Sequence, residues 1–134
     1  MTSKIFVNFP VKNLAASIEF YNKLGYRTNP KFTDETAASI VVNEHIYVML
    51  LTEKRFQDFI PHGISDAKKA TEVLVALSLE NRAAVDEIVA KAVAAGGVTF
   101  RQPEDHGFMY GHAFQDLDGH IWEPFWMDPT AAQG

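Results

Sequence analysis

The sequence contains no cysteine among its 134 residues. This absence excludes a disulfide framework, a thiolate zinc site, an iron–sulfur cluster and a cysteine nucleophile. Any metal ion would have to be held by histidine, aspartate, glutamate or backbone oxygen atoms. The candidate metal-binding side chains of this sequence are therefore carboxylates and imidazoles.

Long hydrophobic runs are also missing. The longest apolar run, Ile46–Leu51, has six residues, whereas a membrane-spanning helix needs roughly 20. The first ten residues lack the apolar segment of a secretory signal peptide. We therefore expect a cytoplasmic protein that does not contact membranes.

Positive charge is scarce as well. Twelve Lys and Arg residues stand against 17 Asp and Glu residues, so the net charge is -5 at pH 7. A chain of this charge repels phosphate backbones, and we expect no nucleic-acid partner. With 47% hydrophobic and 22% charged residues, the composition is that of a globular protein, and the length predicts a single domain over residues 1–134.

Two helices are predicted by apolar spacing and by their end signals. Asn13 is a good N-cap residue for a helix over Asn13–Leu24, and Gly25 ends that helix. A second helix begins at Asn81 and ends at Gly96–Gly97. Both helices carry a one-sided apolar stripe, so each is expected to pack on a sheet.

The segments around these helices are rich in β-branched and aromatic residues, which favour strands. The predicted strands are Ile5–Phe9, Arg27–Phe32, Ser39–Val42, Ile46–Leu51, Val73–Leu79, Val98–Gln102, Phe108–Phe114 and Ile121–Trp126. The resulting order is βαβββ, twice, which is an α+β architecture. We place module one at 1–52, a connection containing a short helix at 53–70, and module two at 71–128.

A hairpin is predicted near the end of the chain, where Asp118-Gly119 supplies the turn between the last two strands. On these strands His112 and Glu123 are the ionisable residues among aromatic neighbours. A buried carboxylate needs a partner. We therefore predict a cross-strand pair of His112 and Glu123, which would be either a proton-transferring dyad or a buried pair that satisfies itself.

Three motifs together resemble the vicinal oxygen chelate superfamily, which includes glyoxalase I, bleomycin-resistance proteins and extradiol dioxygenases. They are Val11–Tyr21 (VKNLAASIEFY), Leu24–Tyr26 (LGY) and Asp116–Glu123 (DLDGHIWE). The chain is most similar to the glyoxalase-like branch related to lactoylglutathione lyase. The resemblance implies two βαβββ modules forming a paired half-barrel around a cleft, and it implies a homodimer.

For metal binding, the resemblance implies four ligand positions on strands one, four, five and eight. In this sequence they fall on Phe6, Met49, Leu74 and Glu123, so only Glu123 keeps a metal-binding side chain. We therefore expect no cofactor, and the alternative is a divalent Zn, Ni, Mn or Fe ion bound at Glu123 with additional ligands. Asn8 lies beside the first position, but an asparagine is a poor ligand for these ions.

The cleft implied by the resemblance would bind a small-molecule ligand between apolar walls and a few polar groups. We expect its ligand-binding residues to be Phe6, Asn8, Met49, Leu74, Tyr110 and Trp122. The lost ligand positions favour a metal-free binding protein. The alternative is a metal-dependent glyoxalase-like lyase or isomerase acting on an α-oxo thiol adduct, with Glu123 as general base and His112 or a metal stabilising the enediolate.

Overall fold

The computed structural model describes residues 2–131, which contain short strands with helices between some of them. They are β1 (Ile5–Val11), α1 (Leu14–Lys23), β2 (Arg27–Asn29), β3 (Ala37–Val41), β4 (Ile46–Thr52), α2 (Glu53–Gln57), β5 (Leu74–Ser78), α3 (Arg82–Ala94), β6 (Glu104–Asp105), β7 (Met109–Gly111), β8 (Phe114–Gln115) and β9 (Ile121–Met127). The chain divides into two compact units, an N-terminal unit over Met1–Asp66 and a C-terminal unit over Ala67–Gly134. The architecture is α+β, as predicted.

The N-terminal unit is a four-stranded sheet in the order β1-β4-β3-β2, with α1 on one side. β1 and β4 pair in parallel over seven residues each, and the other pairs are antiparallel. The core lies between α1 and the sheet, where Phe20 and Tyr21 meet Val48 and Leu50, all of them at most 1% exposed. Full burial of an apolar side chain of this size contributes roughly 1.5–3 kcal/mol.

The second strand is shorter than the sequence predicted. It ends at Asn29, because Pro30 begins a 3-10 turn over Pro30–Phe32. The Asn29 side chain accepts a hydrogen bond from the Lys31 amide at 3.0 Å, which caps that turn. The prediction of a strand through Phe32 was wrong because a proline cannot donate to the strand ladder but fits the first position of a helical turn.

The C-terminal unit is a sheet in the order β5-β9-β7-β6, with β8 pairing to β9 as well. Helix α3 covers one side, and its apolar stripe of Val85, Ile88, Val89 and Ala92 is buried. We call the opposite side of this sheet the C-terminal open face. The Asp118-Gly119 turn joins β8 to β9 as predicted, and Gly119 has a φ of +91° there.

Two predicted strands of the C-terminal unit were wrong in their bounds. Val98–Gln102 is not a strand, since only Val98 forms a bridge, to Gln115. The strand predicted over Phe108–Phe114 is divided into β7 and β8. Pro103 and the Thr99 hydroxyl, which donates to the Ala113 carbonyl at 2.7 Å, explain the loss of the ladder in the first case.

Within residues 2–131, none of the helices combines the length and the apolar character needed to cross a bilayer. The predicted connection over 53–70 contains α2, which begins after Thr52, whose side chain accepts a hydrogen bond from the Arg55 amide at 3.2 Å. The boundary between the two units falls inside this connection, after Asp66.

Candidate functional site

Glu123 lies on the C-terminal open face. Its register partner on β5 is Ala76, and the next pair on the same face is Ser78 with Phe125. The β5 side chains of this face, Leu74, Ala76 and Ser78, are all exposed. Along β5 and β9, the open face therefore presents the Glu123 carboxylate beside small and apolar side chains that solvent reaches.

The partner of Glu123 is Arg101. An Arg101 Nη2 hydrogen is donated to Glu123 Oε2 at 2.9 Å, and the side chains are 29% and 31% exposed. A second carboxylate, Glu104, lies 3.6 Å from Arg101 Nη1, which is an ion pair rather than a hydrogen bond. The guanidinium is thus held between two carboxylates, with the shorter contact to Glu123.

A bulge in the sheet edge brings Arg101 to this position. Val98 bridges Gln115 and Glu104 pairs with Gly111, so the five residues 99–103 face the three residues 112–114. The Thr99 hydroxyl fixes the start of the bulge by its bond to the Ala113 carbonyl. β-bulges redirect side chains out of the regular alternation. Here the extra length allows the Arg101 side chain to reach Glu123.

The predicted pair of His112 and Glu123 is wrong. The His112 amide donates to the Pro124 carbonyl at 3.1 Å, so His112 lies opposite Pro124. Adjacent residues of a strand point to opposite faces, which places His112 on the α3 side and Glu123 on the open face. His112 Nδ1 instead accepts a hydrogen bond from the Ala113 amide at 2.9 Å. A catalytic role for either residue stays a prediction.

The electrostatics of His112 follow from that position. Partial burial is the largest cause that lowers the pKa of the imidazole, and the positive charge of Arg101 lowers it further, whereas Asp86 opposes the change. A neutral imidazole whose Nδ1 accepts a hydrogen bond carries its proton on Nε2. His112 is therefore a neutral donor at pH 7 and not the charged partner of a carboxylate.

Two predicted ligand-binding residues, Tyr110 and Trp122, also lie on the α3 side. Trp122 is 2% exposed and stacks on Phe114, with ring centroids 6.3 Å apart, so it is a core residue. The Tyr110 hydroxyl donates to Asp86 at 2.6 Å, and this hydrogen bond is the largest cause that raises the pKa of the phenol. Both residues hold α3 to the sheet and do not reach the open face.

Three predicted ligand-binding residues belong to the N-terminal unit, on the side of its sheet away from α1. Phe6 is 52% exposed and stacks on Tyr47 at 4.7 Å between ring centroids. Asn8 lies beside Met49, and its Nδ2 donates to the Phe6 carbonyl at 3.2 Å. We call this side the N-terminal open face. Leu74, the remaining predicted residue, is 53% exposed on the C-terminal open face.

The residues at the four predicted ligand positions do not fit a divalent ion. Phe6 and Leu74 have no donor atom, Met49 offers only a thioether, and the Glu123 carboxylate is already bonded to Arg101. Among residues 2–131, no group of three or more His, Asp or Glu side chains could hold a metal ion. A stable site for such an ion usually needs three or four protein ligands.

Arg101 is the residue that the sequence interpretation missed. The signal was present, because an arginine within the strand-like segment Val98–Gln102 needs an anionic partner, and Glu123 was a carboxylate without one. Pro103, directly after that segment, was the sign that the regular ladder ends there.

Comparison with solved structures supports the fold. A hypothetical protein, SA1046 from S. aureus, has 28% identity and a TM-score of 0.79, with 94% of each chain covered. A glyoxalase/bleomycin resistance protein/dioxygenase family enzyme from Burkholderia phytofirmans PsJN has 14% identity and a TM-score of 0.76, with 94% of this chain and 99% of that chain covered.

A bleomycin resistance determinant encoded on the transposon Tn5 has 17% identity and a TM-score of 0.66, with 95% of this chain and 99% of that chain covered. No curated protein matches the chain. The sequence profile of one superfamily matches residues 5–123, which is most of the chain and includes both helix caps and Glu123. The chain therefore belongs to the Glyoxalase/Bleomycin resistance protein/Dioxygenase superfamily, and its fold is glyoxalase-like.

Proposed function

We propose that the chain binds a small organic molecule at the C-terminal open face without the divalent ion of its metal-bearing relatives. The observation that carries this proposal is the ion pair between Arg101 and Glu123. It occupies the carboxylate that the resemblance assigns to a metal ion, and it places a polar group beside Leu74 and Phe125. Binding sites for small molecules commonly combine apolar walls with a few fixed polar groups.

The superfamily includes both enzymes and bleomycin resistance proteins, so membership does not decide between catalysis and binding. The side chains at the four predicted metal-ligand positions favour ligand binding over metal-dependent catalysis. A metal-dependent lyase acting on an α-oxo thiol adduct would need Glu123 to leave Arg101, and it would need ligands where Phe6, Met49 and Leu74 stand. That lyase is the alternative against which the proposal is tested.

Metal analysis of protein purified without chelator tests the metal-free part of the proposal. We expect Zn, Ni, Mn and Fe each to be present at well below one ion per chain. A ligand that binds only the folded state raises the melting temperature. Titration with these ions should therefore leave the melting temperature of this protein unchanged. A near-stoichiometric ion that stabilises the parent, and that is lost in Glu123→Gln, would instead establish the metal-dependent alternative.

Ligand binding is tested separately, with a small-molecule fragment set and amide NMR spectra of the parent protein. We expect binders to shift the signals of Ala76 and Ser78, which lie on the open face beside Glu123 and Phe125. Signals of Val85 and Val89, buried on the opposite side, serve as the internal control. Shifts confined to other surfaces would contradict the proposed location.

We also propose that the protein is a homodimer. Large apolar side chains remain exposed on the single chain, among them Ile5 and Phe6 in the N-terminal unit and Val73 and Val98 in the C-terminal unit. Exposed apolar side chains of this kind mark interaction surfaces when they are grouped. Light scattering should give the mass of two chains at micromolar concentration, and the mass of one chain throughout the accessible range would contradict the proposal.

A further inference from the structure

The Arg101–Glu123 pair keeps unused hydrogen-bonding capacity. A guanidinium has five N–H donors, and a carboxylate accepts through both oxygens. Within residues 2–131, Arg101 donates one side-chain hydrogen bond, to Glu123 Oε2, and Glu123 accepts none at Oε1. Both side chains are about one-third exposed, so a ligand can reach them. The pair therefore presents a donor next to an acceptor.

The local charge decides which ligands this pair accepts. Arg101 contributes one positive charge, while Glu104 and Glu123, its two ion-pair partners, contribute one negative charge each. The formal sum is one negative charge, and the whole chain is also negative, at -5. A carboxylate or phosphate ligand would have to approach Arg101 against this field and displace a carboxylate already bonded to it.

The β5 and β9 side chains nearest to Glu123 are mainly apolar, and the backbone fixes the position of Arg101. Ala76 is the register partner of Glu123, and Leu74 and Phe125 lie on the same face. Arg101 is held by the bulge, and Val98, the residue before the bulge, exchanges backbone hydrogen bonds of 3.1 and 2.7 Å with Gln115. A polar anchor that is already oriented binds without first paying the entropy of ordering its side chains.

Resting on the proposed function, we infer that Arg101 and Glu123 form a donor–acceptor anchor for uncharged ligands and discriminate against carboxylates. The group recognised is one with a hydrogen-bond acceptor beside a donor, as in a primary carboxamide, attached to a flat apolar body. The carbonyl oxygen of such a group accepts from Arg101, and its N–H donates to Glu123 Oε1. The ion pair stays intact when this ligand binds.

Benzamide and benzoate test the inference, because they have the same shape and differ by one charge and by the donor. NMR titration of the parent protein should give an affinity for benzamide about tenfold or more above that for benzoate, read at the amides of Ala76 and Ser78. Low ionic strength should widen the difference, since partly exposed charges are screened by salt. Equal or tighter binding of benzoate, or no shift of these amides with either probe, would overturn the inference.

Two substitutions separate charge from hydrogen bonding. Glu123→Gln removes the acceptor charge, so benzamide should lose affinity severalfold while benzoate gains. Glu104→Gln removes one negative charge without touching the anchor's short bond, so benzoate should gain and benzamide should change little. Glu87→Gln, which removes a carboxylate paired to Lys91 on α3 at 2.9 Å, is the matched control and should change neither affinity.

These outcomes are distinguishable from failure of the proposed function itself. If other fragments shift Ala76 and Ser78 but benzoate binds as well as benzamide, the face binds small molecules and the anchor's selectivity is wrong. If a stoichiometric metal ion is found at Glu123, the metal-free binding function fails regardless of how the two probes rank.

Discussion

The two units of this chain begin with the same βαβ order of elements, but the side chains on their open faces differ. In the N-terminal unit, the edge strand β2 ends at Asn29, and the open face carries Phe6, Asn8 and Met49 along the central β1–β4 pair. In the C-terminal unit, a bulge divides the edge of the sheet, and the open face carries an ion pair. The central parallel pairs are uninterrupted in both units, whereas the bulge at the edge of the C-terminal sheet positions Arg101 to bond Glu123.

The helices, by contrast, are built alike. Asn13 Oδ1 accepts a hydrogen bond from the Ala16 amide at 3.0 Å, and Asn81 Oδ1 accepts one from the Ala84 amide at 2.8 Å. The difference between the units therefore arises at the sheet edge and not in the shared βα portion. The comparison indicates that a site can be added to a repeated scaffold by changing the length of one edge segment.

The largest expected effect is a difference in stability between two substitutions, one at a predicted ligand-binding residue of each unit. Trp122→Ala should destabilise the protein by roughly 3–5 kcal/mol, because a fully buried indole is removed from the core. Phe6→Ala should cost roughly 1 kcal/mol or less, since Phe6 is half exposed and its ring stacks on Tyr47 at the surface. Urea denaturation measures both. Similar losses in the two variants would mean that Trp122 is not the core residue described above.

The next effect tests whether the two helix starts are equivalent. Asn13→Ala and Asn81→Ala should each lower the free energy of unfolding by about 1 kcal/mol, because each removes one N-cap hydrogen bond. Thermal or urea denaturation of the single variants gives the two values. A loss of stability at only one position would show that the two N-caps have the same geometry but contribute unequally to the free energy of unfolding. Asn13→Asp and Asn81→Asp should restore the parent stability and serve as controls.

A smaller effect concerns the ion pair that distinguishes the C-terminal unit. A double-mutant cycle with Arg101→Gln and Glu123→Gln should give a coupling energy of roughly 0.5–1 kcal/mol, because both side chains are partly exposed to solvent. The coupling should shrink in high salt. A coupling of zero would mean that the two residues share a contact without a net attraction.

The smallest expected effect is the pH dependence contributed by His112. Its pKa is lowered in the folded chain, chiefly by burial, so the folded state prefers the neutral imidazole. The unfolded chain then binds the proton more readily below about pH 6.5. The contribution of His112 to the free energy of unfolding is therefore fully present above that pH. It is lost as the pH falls through the pKa of the unfolded chain toward the lower pKa of the folded chain.

Substitution of His112 should therefore flatten the fall in stability as the pH decreases below about 6.5. His112→Gln keeps a polar side chain, and urea denaturation at a series of pH values measures the slope. In Arg101→Gln, the pKa of His112 measured by NMR should rise, because the neighbouring positive charge is gone. An unchanged or lower pKa in that variant would contradict the electrostatic origin of the shift.

Much of the fold could be predicted from the sequence because its signals are local. The caps at Asn13 and Asn81, the glycine at 119 and the apolar periodicity act within a few residues, and each was confirmed. The site was harder, because it depends on register. A change of one residue in the pairing exchanges the two faces of a strand, and this is why His112 was paired with the wrong side of β9.

The contact of Arg101 could not be predicted for the same reason, because it also depends on strand pairing that is distant in sequence. Its contact with Glu123 joins residues 22 positions apart in the chain through a bulge that no local pattern specifies. Thr99 and Pro103 indicate that the ladder weakens, but they do not state how many residues loop out. The number of extra residues depends on the pairs of Val98 with Gln115 and of Glu104 with Gly111, which form only in the folded sheet.

The pairing beyond the bulge has a consequence for how this segment tolerates insertions and deletions. Glu104 lies opposite Gly111 on the open face, and Asp105 lies opposite Tyr110 on the α3 side, where it pairs with Arg82. These partners, and not the number of residues in the bulge, fix the two orientations, because a bulge absorbs extra residues between intact pairs. Shortening the segment by one or two residues should therefore keep both orientations and reduce only the reach of Arg101.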